Sequence, residues 1–401
     1  MNKNWSKKKL NEICEVFADG DWIESKDQSS EGIRLIQTGN VGTGYFKDRA
    51  EKARYISETT FNKLKCTEIF EGDCLISRLP DPVGRTCILP NTGERMITAV
   101  DCTIVRFNTK ILISEYFNYY SQSIQYLNDI EKETSGTTRK RVSRNKLGEI
   151  FIPLPPLSEQ RRIVAILDEA FAAIEKAKEN AEKNLKNARE IFESYLQNIF
   201  DNAGEGWEIK KLGEVCIVER GSSPRPIEKY LTNDSDGVNW IKIGDTKGID
   251  KYIYTTKEKI TKKGAEKSRY VKEGDFILSN SMSFGKPYIM KTEGYIHDGW
   301  FVLRLPQNID TEFFWYLLAS PFTMNQFISL ASGAIVKNIS GDLVKKASLP
   351  IPPLSEQHSI VSKLDDLSEE TKKLESIYSQ KLAALTELKK SLLQKAFAGE
   401  L

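Results

Sequence analysis

The sequence has only two histidines, His297 and His358, and neither lies next to a cysteine. Its six cysteines, Cys14, Cys66, Cys74, Cys87, Cys102 and Cys216, form no Cys-x-x-Cys pair. Zinc sites draw on clustered His and thiolate ligands, so no metal site is expected and the thiols should be reduced and mostly buried. No long apolar run is present, so no membrane-spanning helix is expected. The segment Met1 to Lys9 lacks the apolar stretch of a secretory leader, which points to a cytoplasmic location. No phosphate-binding P-loop occurs, and Gly39-Asn40-Val41-Gly42-Thr43-Gly44 has its glycines in the wrong order for a dinucleotide loop. Asp81-Pro82-Val83-Gly84 is not the Asn-Pro-Pro-aromatic segment of adenine methyltransferases, and neither histidine sits in a hydrolase-like setting. No catalytic constellation is legible. Charge of one sign is also missing: 58 basic residues face 56 acidic ones, for a net charge of +2. Any nucleic-acid contact must therefore come from local basic groups, with a partner sharing the phosphates.

What is present is a repeat. Ile152-Pro153-Leu154-Pro155-Pro156-Leu157-Ser158-Glu159-Gln160 returns 197 residues later as Leu349-Pro350-Ile351-Pro352-Pro353-Leu354-Ser355-Glu356-Gln357. Other segments correspond in the same order. Trp5 with Leu10 to Cys14 matches Trp207 with Leu212 to Cys216, and Ile36 to Asn40 matches Ile241 to Asp245. Glu71-Gly72-Asp73 matches Glu273-Gly274-Asp275, Glu115 to Tyr119 matches Glu312 to Tyr316, and Ser135-Gly136 matches Ser332-Gly333. The residues between them differ strongly, so two copies of one scaffold present different surfaces.

Each copy opens with strand-like segments. Glu-Gly-Asp before an apolar run reads as a turn entering a buried strand, and Thr103 to Phe107 and Phe301 to Leu305 read as strands. Helices are expected around 114–128 and 311–330. Residues 158 to about 200 and 355 to about 398 contain no glycine or proline and read as long helices of about 60 Å each. Ser158 and Ser355 are the expected N-caps, with Glu159 and Glu356 at the positive helix ends. The prolines read as a stiff junction rather than a ligand for an SH3-like groove.

Apolar positions recur with alternating three–four spacing at Ile163, Leu167, Ala170, Ile174, Ala177, Ala181, Ala188, Ile191 and Tyr195. The second series is Ile360, Leu364, Leu367, Leu374, Tyr378, Leu385, Leu388 and Leu392, with Thr371 and Lys381 as polar exceptions. This is a coiled-coil seam, alanine-rich in one helix and leucine-rich in the other, so the two helices are expected to pair. The seam residues singled out are Leu167, Ile174, Ile191, Leu364, Leu367, Leu374, Leu385 and Leu388.

The strongest basic cluster is Arg139, Lys140, Arg141, Arg144 and Lys146, suited to phosphate contact or to guanine edges. The second copy keeps only Lys337 from it. Arg78, Arg85, Arg220, Arg225, Lys242 and Lys286 are the other candidates, each also readable as an ordinary surface residue.

Taken together, the Ile-Pro-Leu-Pro-Pro-Leu-x-Glu-Gln-x-x-Ile-Val segments at Ile152 to Val164 and Leu349 to Val361, with the openings at Trp5 and Trp207, resemble the specificity subunit of type I restriction-modification systems. The resemblance covers essentially the whole chain. It implies a mixed α/β (α+β) fold with a pseudo-two-fold internal repeat. Two strand-rich target-recognition domains, 1–157 and 204–354, would be joined by two long antiparallel helices, 158–203 and 355–401, forming a coiled coil. It further implies double-stranded DNA as ligand, read as a split sequence with the helices as ruler. Two methyltransferase subunits and a restriction/translocase subunit are the implied partners. S-adenosylmethionine, ATP and Mg belong on those partners, and no cofactor or catalytic residue on this chain. The competing readings are a fused or degenerate methyltransferase or nuclease, and a coiled-coil scaffold that binds proteins only.

Overall fold

In a computed structural model the described residues are 5–280, 285–331 and 339–401. They divide into two compact units. One runs to Ala181 and takes in Gln380–Leu401; the other is Glu182–Ser379. The long helices are therefore not separate from the globular parts. Each unit holds one half of each helix, because a helix this long cannot bury its apolar stripe without a domain to pack on.

In the first unit a four-stranded antiparallel sheet has the order Cys14–Asp19, Cys102–Phe107, Cys74–Ser77, Thr86–Ile88. Its side chains alternate between two cores. Cys74, Ile76, Val105 and Phe107 face Tyr116, Phe117 and the start of the first long helix. Leu75, Cys87, Cys102 and Ile104 face a second sheet that contributes Ile36, Ile69 and Met96. A sheet covered on both faces needs apolar residues at every position, which is why these strands read as continuous apolar runs. The second unit repeats the plan. Phe276, Leu278, Phe301 and Leu303 face the helices, while Ile277, Tyr288, Trp300 and Val302 face the second sheet.

The Glu-Gly-Asp turns enter these middle strands as expected, with Gly72 and Gly274 in the left-handed region at φ of 83° and 87°. The turn aspartate does more than turn the chain. Asp73 accepts from Phe70 N at 2.9 Å and takes Arg106 Nε and Nη2 at 2.8 and 2.7 Å. Asp275 accepts from Lys272 N at 3.0 Å and pairs with Arg304 Nε at 3.4 Å.

The proline segments close each unit. Phe151–Leu154 pairs antiparallel with Ser6–Lys9, and Ser348–Ile351 with Glu208–Lys211. The long helices are Leu157–Asp201 and Leu354–Ala398, each about 67 Å long. Ser158 and Ser355 lie inside the first turn rather than at the cap. The Pro156 carbonyl accepts from Glu159 N and Gln160 N at 2.9 and 3.0 Å, and Pro353 does the same for Glu356 and Gln357. Proline suits that position because its fixed φ leads the chain into the helix and its missing N–H costs nothing there.

Gln160 and Gln357, at the ends of the repeated motif, are buried. Gln160 Oε1 accepts from Ile113 N at 3.1 Å, and its Nε2 donates to Ile111 O and Pro155 O at 2.9 Å each. Gln357 Oε1 accepts from Asp310 N at 2.8 Å, and its Nε2 donates to Pro352 O at 2.9 Å. Each glutamine thus ties the start of a long helix to the loop before the domain helix Ser114–Tyr120 or Thr311–Ala319.

Within each unit the helix halves run antiparallel. In the first unit Ile163 and Leu167 share a core with Leu393, Ala396 and Phe397. Arg162 Nη2 donates to Leu401 O at 2.6 Å, and further along Lys389 sits 4.6 Å above the Phe171 ring. In the second unit Leu196 and Phe200 share a core with Ile360 and Leu364, and Arg189 pairs with Glu375 at 3.0 Å.

The seam register departs from the expected one. Leu167, Ile174 and Leu364 are buried, and Leu367 and Leu385 are partly buried. Ile191 is 50% exposed and Leu388 46%, while Tyr195 and Leu374 are exposed as well. Ala181 and Ala188 are buried as expected; beyond them the stripe passes through Phe192, Leu196 and Phe200, and through Leu393 and Phe397 at the same 197-residue offset. A straight helix drifts about 20° per heptad against a seven-residue repeat. Ile191 and Leu388 each lie four heptads from the first seam residue, Ile163 or Ile360, so a heptad count misplaces them by about 80°.

Gln160→Ala should lower stability by about 2 kcal/mol, since it leaves the buried Pro155 carbonyl and the half-buried Ile111 carbonyl and Ile113 N–H without this partner. The exposed neighbour Arg161→Ala should change it by less than about 0.5 kcal/mol. Urea denaturation of the full chain checks both.

Candidate nucleic-acid interface

Both copies cross two chain segments at one glycine. Gly20 follows strand Cys14–Asp19 and donates to Cys102 O at 2.9 Å. A Cβ there would lie 2.3 Å from Ala99 O. Gly221 follows strand Ile217–Arg220 and donates to Trp300 O at 2.8 Å, and its Cβ would lie 2.1 Å from His297 O. No larger residue allows so close a crossing. Arg78 N donates to Asp101 O at 2.9 Å beside the first crossing, and Asn280 N to Gly299 O at 3.0 Å beside the second. Arg78 and Asn280 therefore hold the same place in the two copies.

The side chains around this shared frame differ. In the first unit Arg78 is buried, donates to Val100 O, and lies 3.1 Å from Asp19 Oδ1. Burial pulls its pKa down, opposed chiefly by the nearby Asp19 carboxylate. Its Nε has no hydrogen-bond partner. The segment carrying the basic cluster is fixed beside it. Val142 N donates to Arg78 O at 3.3 Å, and Ser135 and Arg141 exchange two backbone bonds of 2.9 Å. Gly136 makes the turn at φ 99°, where a Cβ would meet Arg139 O at 2.5 Å. Arg141 Nη2 then reaches Asp101 Oδ1 at 2.9 Å, while Arg139 stays 3.9 Å from Asp101 and 73% exposed. Arg144 Nε lies 3.9 Å from Asp19 Oδ2. Four guanidinium groups thus share two carboxylates and leave a local charge of about +2. Lys140 pairs with Glu131 and Lys146 with Glu133, so these two are neutralised locally.

Trp22 stands nearby, 70% exposed, one residue beyond the Asp21 whose backbone bonds Thr98 and Val100. Sequence reasoning missed it, because nothing in linear order tells an exposed tryptophan from a core one. Its indole N–H reaches Glu24 at 3.4 Å, and an exposed aromatic face of this kind suits stacking on a nucleic-acid base.

In the second unit the frame carries Arg220, Arg225, Ser223 and Asp298. Arg220 Nε donates to Asp298 O at 3.3 Å; Arg225, 81% exposed, lies 3.1 Å from Asp298 Oδ2. The Ser223 hydroxyl donates to Asp298 Oδ1 at 2.7 Å and holds that carboxyl below its usual range. Asn280 Nδ2 donates to Asp298 O at 2.9 Å, where Arg78 in the first unit reaches Val100 O.

Three expected contacts are otherwise engaged. Arg85 is buried and spends its guanidinium on four carbonyls: Val41, Leu79, Pro82 and Thr38, at 2.6 to 3.0 Å. It organises the loops of the first unit with four of its five N–H groups, which makes it a structural residue. Lys286 Nζ donates to Ile249 O at 3.3 Å and sits 5.3 Å over the Tyr288 ring. Lys242 pairs with Glu258. Lys337 lies outside the described residues.

Among the described residues no group of three or more His, Cys, Asp or Glu is placed to hold a metal ion. Among them, too, no helix is long and apolar enough to cross a membrane. Burial pushes the Cys14 and Cys216 thiols up to about 12, so they stay protonated and unreactive.

Two glycine-crossed frames of one design, fringed with guanidinium groups, are the kind of duplicated surface that suits a nucleic-acid-binding protein. The type I restriction modification DNA specificity domain matches residues 2–183 and again 204–383, and the chain belongs to that family. DNA target recognition is the function that membership carries. The type I restriction enzyme MjaVIII specificity subunit of Methanocaldococcus jannaschii is 26% identical over 304 residues, covering 69% of this chain and 70% of that protein. The EcoKI specificity subunit of Escherichia coli is 24% identical over 328 residues, covering 75% and 68%. The fold is shared with a chain from a solved structure on complex assembly and conformational transition of the type I R-M system. There the TM-score is 0.81 at 20% identity, covering 100% and 99% of the two chains. The HsdS subunit of Thermoanaerobacter tengcongensis gives a TM-score of 0.66 at 21% identity, covering 100% and 98%.

One titration follows from the second frame. The His297 ring faces two backbone donors, with Gly299 N 2.8 Å from Nδ1 and Ile243 N 3.2 Å from Nε2. The neutral ring, with one N–H of its own, accepts only one of these bonds; Asp298 Oδ1 lies 3.7 Å from Nδ1, and burial holds the pKa below 6.5 against the smaller pull of that carboxylate. As pH falls, the unfolded chain takes up its proton first. The stability from neutral His297 is therefore complete above about pH 6.5 and is lost as pH falls below it. Urea midpoints between pH 7.5 and 5.5 should fall more for the natural chain than for His297→Gln.

Proposed function

We propose that the chain is a non-catalytic specificity subunit that reads a split DNA sequence, one half with each unit. The observation that carries this is the repeated glycine-crossed frame bearing different polar groups: Arg78, Asp19 and Asp101 in one copy, Asn280, Arg220 and Asp298 in the other. One scaffold with two chemistries is what reading two different half-sites requires, because bases are told apart by the donors and acceptors that meet their edges. Arg139, Arg141 and Arg144 contact the first half-site, and Arg220 and Arg225 the second.

Methyltransferase subunits, two in number, are the proposed partners that carry S-adenosylmethionine. A restriction/translocase subunit using ATP and Mg is the other. The chain's near-balanced charge supports this division, because partners then supply part of the phosphate contact. The long helices act as the spacer between half-sites.

Replacing Arg139, Arg141 and Arg144 together by alanine should weaken binding of the complex with its methyltransferase subunit. The salt dependence of log K should flatten by about two to three units, near one per lost phosphate contact. Unchanged affinity and slope would remove this cluster from the interface. Inserting four residues into either long helix adds about 6 Å. That is close to two base pairs at about 3.4 Å each. Sequencing of methylated adenines should then show a longer spacer between unchanged half-sites; an unchanged spacer sinks the ruler.

A further inference from the structure

The two copies share a contact that the repeat motif does not announce. Tyr119, on the helix Ser114–Tyr120, donates its hydroxyl to Asp168 Oδ1 at 2.5 Å. Tyr316, on the helix Thr311–Ala319, donates to Asp365 Oδ1 at 2.6 Å. The tyrosines are 197 residues apart, and so are the aspartates. Each aspartate lies eight residues beyond the buried glutamine on its own long helix, Gln160 or Gln357. The surroundings differ: Tyr119 meets Phe171 edge-on at 5.3 Å, whereas Tyr316 packs against Trp315 and Phe192. A bond kept at the same offset while its neighbours changed points to a shared geometric task.

That task is visible in the lever. The glutamine, with the buried Ile163 and Leu167 or Ile360 and Leu364, holds the first turns of the helix on the domain, but apolar packing is non-directional and leaves rotation about that anchor the softest motion. The tyrosine bond ties them again about 12 Å further along and blocks that rotation. About 1 Å of slack at that distance tilts the domain by about 5°. Across a domain about 35 Å wide this moves the far side by about 3 Å. The rise of DNA per base pair is about the same, near 3.4 Å.

We propose that the Tyr119–Asp168 and Tyr316–Asp365 hydrogen bonds are orientation locks that fix each reading unit's tilt on its helix and so confine the protein to one spacer length. Tyr119, Asp168, Tyr316 and Asp365 are positioning residues that touch no DNA. The proposal rests on reading the long helices as the spacer. Both bonds hold together at neutral pH, since burial, and then the neighbouring carboxylate, raise the two tyrosine pKa values.

The test uses the full chain co-expressed with its own methyltransferase subunit and a plasmid library carrying both half-sites at spacers from two base pairs short to two long. Tyr119→Phe with Tyr316→Phe keeps the rings and removes both bonds. Methylation at the neighbouring spacers should rise about tenfold relative to the natural spacer, with half-site sequences unchanged. Asp168→Ala with Asp365→Ala should do the same from the other side. Asp168→Asn with Asp365→Asn, whose amide oxygens still accept, should restore the single spacer. A loss of methylation equal at all spacers, or a profile like that of the natural chain, overturns the locks. The four-residue helix insertion separates the two ideas. If it shifts the spacer while the tyrosine variants do not broaden it, the locks alone fail; if it leaves the spacer unchanged, the ruler itself fails.

Discussion

The buried carboxamide of Gln160, and its counterpart Gln357, is the interaction on which the rest of each unit depends. It reaches from the first turn of a long helix into loop backbone that has no partner of its own. A carboxamide offers both a donor and an acceptor at one end, so it can satisfy an N–H and a carbonyl together. A carboxylate or an alkyl side chain would leave one of them buried and unpaired. Through this one group the position of the helix follows from the position of the domain, and the apolar stripe behind it meets the right core.

The second theme is economy of frame. Gly20 and Gly221 bring two backbone segments closer than any side chain would allow, and the resulting crossing is the same in both copies. Backbone geometry conserved in this way leaves side chains free to differ. Arg78 and Asn280 occupy one place, yet the first offers a buried charge paired with the Asp19 carboxylate and the second a neutral amide. Carboxylates at a site proposed to face DNA look unfavourable until their partners are counted. Asp19 and Asp101 hold guanidinium groups in place before any ligand arrives, which lowers the ordering cost of binding.

Much of this was legible in linear order. The duplication, the strand-rich units, the glycine- and proline-free helices and the Arg139 to Arg144 cluster all rest on patterns a chain carries along its length. The heptad seam was legible in the first helix as far as Ala188 and lost beyond it. Ile163, Leu167, Leu364 and their neighbours are buried as counted, but Ile191 and Leu388 are not, because a fixed seven-residue step and a 3.6-residue turn part company over four heptads. The N-caps were displaced by one turn chemistry for another, Pro156 standing where Ser158 was expected.

The basic candidates show where linear reading stops. Arg139 and Arg85 look alike in sequence, each a cation near a turn. One projects from a tight turn, exposed and only loosely paired with Asp101 at 3.9 Å; the other closes around carbonyls from Thr38, Val41, Leu79 and Pro82. The sequence by itself determined that one scaffold is written twice, with a stiff joint and a long helix in each copy, because periodicity and spacing are properties of linear order. Only the tertiary structure decided which charges stay free, which helix face is buried and which tyrosine meets which aspartate. Burial and hydrogen-bond partners come from residues that are distant in the chain and meet only once it has folded.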